Sequence, residues 1–164
     1  MENQKQRIYD ELNKMGIKYE AVEHEPVHTM EDMDRLGLPA KGTLCKNLFL
    51  RDAKGKRHFL VTADENAKVD LKALARQLGT SSLSFASEER LEKYLGLKKG
   101  AVSPLGILND ESIAVEVFFD EDFCGLEKIG VHPNENTASV YLPPDDLLNI
   151  IREHGNPLTI VSFV

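Results

Sequence analysis

No apolar run in this sequence approaches the roughly 20 residues that a membrane-spanning helix needs, so no membrane role is expected. The opening residues, Met-Glu-Asn-Gln-Lys-Gln, lack the basic start and apolar core of a secretory signal. A cytoplasmic location is therefore expected. The two cysteines, Cys45 and Cys124, lie far apart and form no C-x-x-C pair. In a reducing compartment both are expected to stay thiols. The chain also lacks a P-loop, a G-x-G-x-x-G turn, a G-x-S-x-G elbow and an H-E-x-x-H helix. Repeats, low-complexity tracts and linkers are absent too.

Positive charge is scarce. The net charge is -7, which argues against a protein that coats duplex nucleic acid through a broad basic face, and no DNA partner is expected. A narrow grip on the end of a nucleic acid stays open. The basic residues are unevenly placed: Lys41, Lys46, Arg51, Lys54, Lys56 and Arg57 crowd one stretch. A solvated surface is the plain reading of such a run. His24 and His28 are four apart, but Pro26 between them forbids the single helical face of a ligand pair, and no metal is expected.

What is present describes an ordinary globular chain of 164 residues, 41% apolar and 29% charged, of a length that suits one domain over 1–164. Ile8, Leu12 and Met15 recur at helical spacing before Gly16. Tyr19 to Glu23 reads as a strand. Thr29 and Asp32 resemble a capping box for a short helix from Met30 to about Leu36. Thr43–Leu50 and Arg57–Thr62 read as a hairpin around Asp52-Ala53-Lys54-Gly55. Asp70 and Ser87 cap two further helices that stop at Gly79 and Gly96. Strands are expected over Ile113–Phe119, Lys128–Val131, Ala138–Leu142 and Thr159–Val164, with a helix from Pro144 to Glu153 before Gly155. Helices and strands mix without a steady βα alternation, which predicts an α+β domain around one mixed sheet.

Three segments are richer than packing requires. In Leu44-Cys45-Lys46-Asn47-Leu48-Phe49-Leu50 a lysine and an asparagine interrupt an apolar strand. Such a lysine either snorkels to solvent or holds a phosphate as a point charge. Cys45 must face away from Lys46, since neighbours on a strand alternate, so a buried structural thiol is the better reading. Gly100-Ala101-Val102-Ser103-Pro104-Leu105-Gly106 is a tight loop whose backbone amides can approach a ligand closely. The run from Gly130 through His132, Asn134 and Asn136 to Ser139 is dense in hydrogen-bonding side chains.

In order and spacing, these segments resemble the prolyl-tRNA editing family, also called the YbaK/ProX or synthetase-associated deacylase family. The resemblance runs nearly end to end. It includes the N-terminal helix, His28-x-Met30 with Thr29, Lys46-Asn47-Leu48-Phe49-Leu50, Gly100-x-x-x-Pro104 and Val131-His132-Pro133-Asn134 with Asn136-Thr137-Ala138. The His132-Pro133-x-x-Asn136-Thr137 stretch is closest to the ProX branch. The resemblance implies a compact α+β domain with a curved mixed sheet flanked by helices. It also implies a free-standing hydrolase that clears a wrong amino acid, alanine first, from proline tRNA. Removal of cysteine or another small residue is the alternative within the family, and a non-catalytic aminoacyl-tRNA or amino-acid binding module is the alternative outside it. The implied partners are the tRNA acceptor end and, as an open case, prolyl-tRNA synthetase. No cofactor is implied. Lys46 would hold the terminal phosphate or ribose, the Gly100–Pro104 loop would engage the ester, and His132 would line the pocket. Thr29, Asn47, Ser103, Asn136 and Ser139 would supply polar contacts to substrate.

Overall fold

The structure, a computed structural model, describes residues 4–26 and 43–163. Thr29 and the helix expected from Met30 lie outside the described residues. Eight strands form one sheet: β1 (Glu20–Glu23), β2 (Thr43–Arg51), β3 (His58–Asp64), β4 (Ser84–Phe85), β5 (Val115–Asp120), β6 (Ile129–Val131), β7 (Ala138–Leu142) and β8 (Leu158–Val161). Their order is β1-β7-β6-β2-β3-β5-β8, and β4 pairs with the end of β2. The pairs β2–β6, β3–β5 and β5–β8 are parallel and the others antiparallel, so the sheet is mixed, as the α+β reading required. The helices are α1 (Gln4–Lys14), α2 (Leu71–Leu78), α3 (Glu88–Leu95) and α4 (Pro144–His154). No helix of the described residues is long and apolar enough to cross a membrane.

Local chemistry sets the helix ends. The Asp70 carboxylate accepts from the amides of Lys72 at 2.9 Å and Ala73 at 3.3 Å, and Ser87 Oγ accepts from Arg90 at 3.2 Å. Gly79 closes α2 at φ 65°, a left-handed turn that a side chain would disfavour. Amphipathic faces then choose sides of the sheet. Ile8 and Leu12 of α1, Leu91 and Leu95 of α3, and Leu147 and Ile151 of α4 share the larger core with Phe49, Leu60 and Val117. Leu74 and Ala75 of α2 pack against Leu50, Phe59, Val61 and Phe118 on the opposite face.

Three local expectations shift. The strand expected from Ile113 begins at Val115, because the Asp110 carboxylate takes the amides of Ala114 and Val115 and Ile113 turns through φ 54°. The Gly100–Gly106 stretch is only partly a loop, since Pro104–Asn109 winds into a 3-10 helix. Strand β4 has no sequence signal of its own and exists because Leu50 and Arg51 offer a free edge to Phe85 and Ser84.

Strand β2 organises the rest. Cys45, Asn47 and Phe49 face the larger core, whereas Lys46, Leu48 and Leu50 face the α2 side, as alternation requires. Its parallel ladder with β6 has two rungs, Thr43–Ile129 and Leu44–Gly130. A Cβ at Gly130 would stand 2.7 Å from Tyr141 Cε1 and 2.8 Å from Leu44 Cδ2, so β2, β6 and β7 close only over a glycine. Gly130→Ala is expected to lower stability by about 1–3 kcal/mol through overpacking. Urea denaturation checks this: the midpoint should fall with an unchanged slope. A parental midpoint would mean that these strands have slack.

Candidate functional site

The last rung between β2 and β6 fixes the site. Lys46 and His132 each lie two residues past Leu44 and Gly130, so alternation turns both toward the face opposite the larger core, although the ladder itself ends at that rung. Strand β7 adds Ser139, next to Val140 in the β6–β7 ladder, and β1 adds His24 just beyond Glu23. The His24 and His132 rings meet edge to face at 6.4 Å.

The hydrogen bonds define the tautomers. His132 Nδ1 lies 2.9 Å from the Ala138 carbonyl, which only accepts, so Nδ1 carries the proton and Nε2 holds a lone pair. His24 Nδ1 likewise donates to the Glu25 carbonyl at 2.8 Å, and its Nε2 accepts from the Ser139 hydroxyl at 3.1 Å. Burial holds the His132 pKa below the ordinary histidine value, and nearby His24 adds to this against the bond to Ala138. His132 is therefore neutral at pH 7 and presents an acceptor. Lys46 Nζ donates to the Ala67 carbonyl, a single neutral acceptor for a group with three donors.

Residues 24–150 match the aminoacyl-tRNA editing domain. Over 159 residues the chain is 49% identical to the prolyl-tRNA editing protein ProX of Acetoanaerobium sticklandii, covering 97% of each. Over 156 residues it is 36% identical to the bovine prolyl-tRNA synthetase associated domain-containing protein 1, covering 93% of this chain and 91% of the relative. The chain belongs to the aminoacyl-tRNA editing family. The crystal structure of a candidate trans-editing enzyme for prolyl tRNA synthetase has the same fold, with a TM-score of 0.73 at 20% identity over 99% of this chain and 98% of that one. The resemblance read from the sequence to the prolyl-tRNA editing family is thus upheld.

Within this editing domain the sequence-based candidates separate. Lys46, His132 and Ser139 share one face. Asn47 does not join them. It faces the other side of β2, where its Oδ1 accepts from the Thr62 hydroxyl at 2.8 Å. Gly100, Ser103 and Pro104 belong to the larger-core side. Gly100 turns through φ 89°, Pro104 is buried, and the fully buried Ser103 spends its hydroxyl on the Leu105 amide at 3.2 Å. Their link to the His132 turn is Asn134, whose Nδ2 reaches the Leu105 carbonyl at 3.4 Å while its backbone holds φ 61°. Asn136 is half-buried in that same turn. Cys45 lies across the sheet from Lys46, and burial, then Asp64, pushes its thiol pKa well up, so it is no nucleophile at neutral pH. Among the described residues no group of three histidine, cysteine or acidic side chains could hold a metal.

His24 is the residue that sequence reasoning passed over, having considered it only as a metal ligand. The missing signal was its pairing, because Ser139 is 115 residues away. Helix α1 also reaches this region. The Glu135 carboxylate accepts from the Lys5 amide at 2.5 Å, and Lys5 Nζ pairs with Glu23 at 3.1 Å and Thr137 Oγ1 at 3.3 Å.

A neutral fold-held imidazole has a consequence for stability. Folding favours uncharged His132 and also His58, whose pKa is lowered by burial and then by Arg90. The unfolded chain takes up these protons near pH 6.5. Stability is therefore complete above that pH and falls as the pH drops through the lower folded values. Urea midpoints measured from pH 8 to 5 should be level down to about 6.5 and then decline. A midpoint that rises on acidification would contradict the assignment of neutral rings.

Proposed function

We propose that this protein is a trans-editing hydrolase, a single domain over 1–164, that removes a small misattached amino acid, alanine first, from proline tRNA in the cytoplasm. The observation that carries the reading is the neutral His132, with Nδ1 fixed by the Ala138 carbonyl and Nε2 left as an acceptor on the face of the sheet that also carries Lys46. An aminoacyl ester is already activated, so positioning suffices. Lys46 offers its remaining N–H donors to a phosphate or the ribose at the acceptor end. His132 Nε2 accepts a hydrogen bond from the attacking water or from a ribose hydroxyl and so orients it toward the ester carbonyl. The Gly100–Pro104 loop, expected from the resemblance to engage the ester, lies on the larger-core side and reaches the His132 turn through Asn134.

A reason for such an enzyme follows from discrimination. A synthetase pocket built for proline rejects a smaller residue by only about 1–3 kcal/mol per missing methylene. A second pocket that is too small for proline completes the sieve. Deacylation of alanyl-, cysteinyl- and prolyl-tRNA of the proline acceptor tests the whole reading. Fast loss of alanine alone supports it. Preference for cysteine selects the alternative substrate, and binding without hydrolysis selects a binding module.

Lys46→Ala should cost roughly ten- to a hundred-fold in kcat/KM, since a hydrogen bond to a charged group contributes about 1.5–3 kcal/mol. Lys46→Arg should rescue only part of this, because a planar fork does not reproduce a compact charge. His132→Ala should reduce turnover with the thermal melt preserved. In the parent, the rate should be level above about pH 6.5 and fall in acid as His132 is protonated, a limb that the variant should lack. Parental kinetics in both alanine variants would remove the site from this face.

The hydrolysis is expected to be metal-independent. Activity should survive prolonged chelation, and a loss restored by added zinc would refute this.

A further inference from the structure

The turn between β2 and β3 holds a second cluster of cations, away from the site. Asp52 stabilises that turn by accepting from the amides of Lys56 at 2.9 Å and Arg57 at 3.2 Å. Arg51, the last residue of β2, donates from Nε to the Asp52 carbonyl and from Nη2 to the Ala53 carbonyl, both at 3.2 Å. Arg90, in the first turn of α3, donates from Nη1 to the Gly55 carbonyl at 3.2 Å and to His58 Nε2 at 3.0 Å. Every one of these acceptors is uncharged. Arg57 is the contrast, because its fork is matched by Glu116 at 3.0 and 2.8 Å. Among the described residues no carboxylate forms an ion pair with Arg51 or Arg90.

The two guanidinium groups converge on one point. A Cβ built on Gly55 would lie 2.9 Å from Arg90 Nη2 and 3.1 Å from Arg51 Nη2. Glycine at φ +68° is what leaves that space open. Two adjacent cations held by neutral groups repel each other, and an anion placed between them reverses the sign of that energy. The planar forks suit a phosphate, which accepts two N–H bonds from each. Lys93, on the same helix one turn on from Arg90, adds to the field: together with Arg90 and Arg51 it depresses the His58 pKa. The Asp52 carboxylate in the same turn opposes this field at His58, but it is bound to the amides of Lys56 and Arg57 and forms no ion pair with Arg51 or Arg90.

We propose that Arg51 and Arg90, spaced over Gly55, form a phosphate-binding site separate from the Lys46–His132 site. The source favoured here is a backbone phosphate of the RNA whose acceptor end meets Lys46, which rests on the function proposed above. Arg51 is five residues from Lys46 along β2, about 17 Å, and alternation turns it to the larger-core face with Arg90 of α3, so an RNA strand that meets both passes around the sheet edge. A free phosphate or phosphomonoester offers the same chemistry.

Gly55 supplies the test. Gly55→Asp places a carboxylate between the forks, and Gly55→Asn is the neutral control of equal size, tolerated at positive φ. Inorganic phosphate is titrated while the arginine Nε–H resonances of Arg51 and Arg90 are followed. Uncharged proline tRNA is bound over a range of salt, a measurement that needs no hydrolysis. With RNA as the source, Gly55→Asp binds tRNA roughly ten-fold more weakly and lowers the logarithmic salt slope by about 1. Gly55→Asn, which fills the same space without the charge, falls between the parent and Gly55→Asp, and cleavage of an aminoacylated terminal trinucleotide is unchanged. With free phosphate as the source, the Arg51 and Arg90 resonances shift in the parent and not in Gly55→Asp, while the tRNA slope stays the same. Resonances unmoved by phosphate together with a salt slope equal in all three proteins overturn the proposal. Loss of trinucleotide cleavage in the parent would instead count against the editing function and leave this site standing.

Discussion

The approach of three strands over Gly130 is the constraint on which the site depends. With no side chain at 130, the Tyr141 ring and the Leu44 side chain close over the β6 backbone, and the parallel rung between Leu44 and Gly130 forms. Beyond that rung, alternation turns Lys46 and His132 to the same face. The neighbouring antiparallel ladders then bring Ser139 and His24 to that face. A shift by one residue in any of these ladders would turn its contribution to the other face.

The sheet also separates charge. On the Cys45 side, Asp64 and Asp120 lie close together, with Asp120 accepting from the Asp64 amide at 2.9 Å, and their field helps keep the thiol protonated. On the Lys46 side stand an ammonium and two imidazoles whose ring protons point at backbone carbonyls. Around the start of β2 the two faces thus present opposite charge, in a chain of net charge -7. Burial disfavours the His132 cation, and the fixed Nδ1 proton leaves Nε2 as an acceptor.

Much of this was written locally. Helix ends followed from Asp70, Ser87, Gly79 and Gly96, since caps are satisfied by residues two to four positions away. Strand alternation places Cys45 opposite Lys46, and the same rule puts Asn47 on the Cys45 side. The Ser103 hydroxyl accepts from the Leu105 amide at the start of a 3-10 helix, a turn that the proline and glycine signals do not specify.

By itself the sequence determined the α+β class, most element boundaries and the family, because each of these rests on periodicity, caps or motifs read within a short window. The tertiary structure alone decided that His24 joins Ser139 and that Arg51 and Arg90 meet over Gly55. These depend on ladder register and on helix packing across 35 to 115 residues of chain. No local preference encodes them. The burial of the two cores, which fixes how far each strand slides against its neighbour, does.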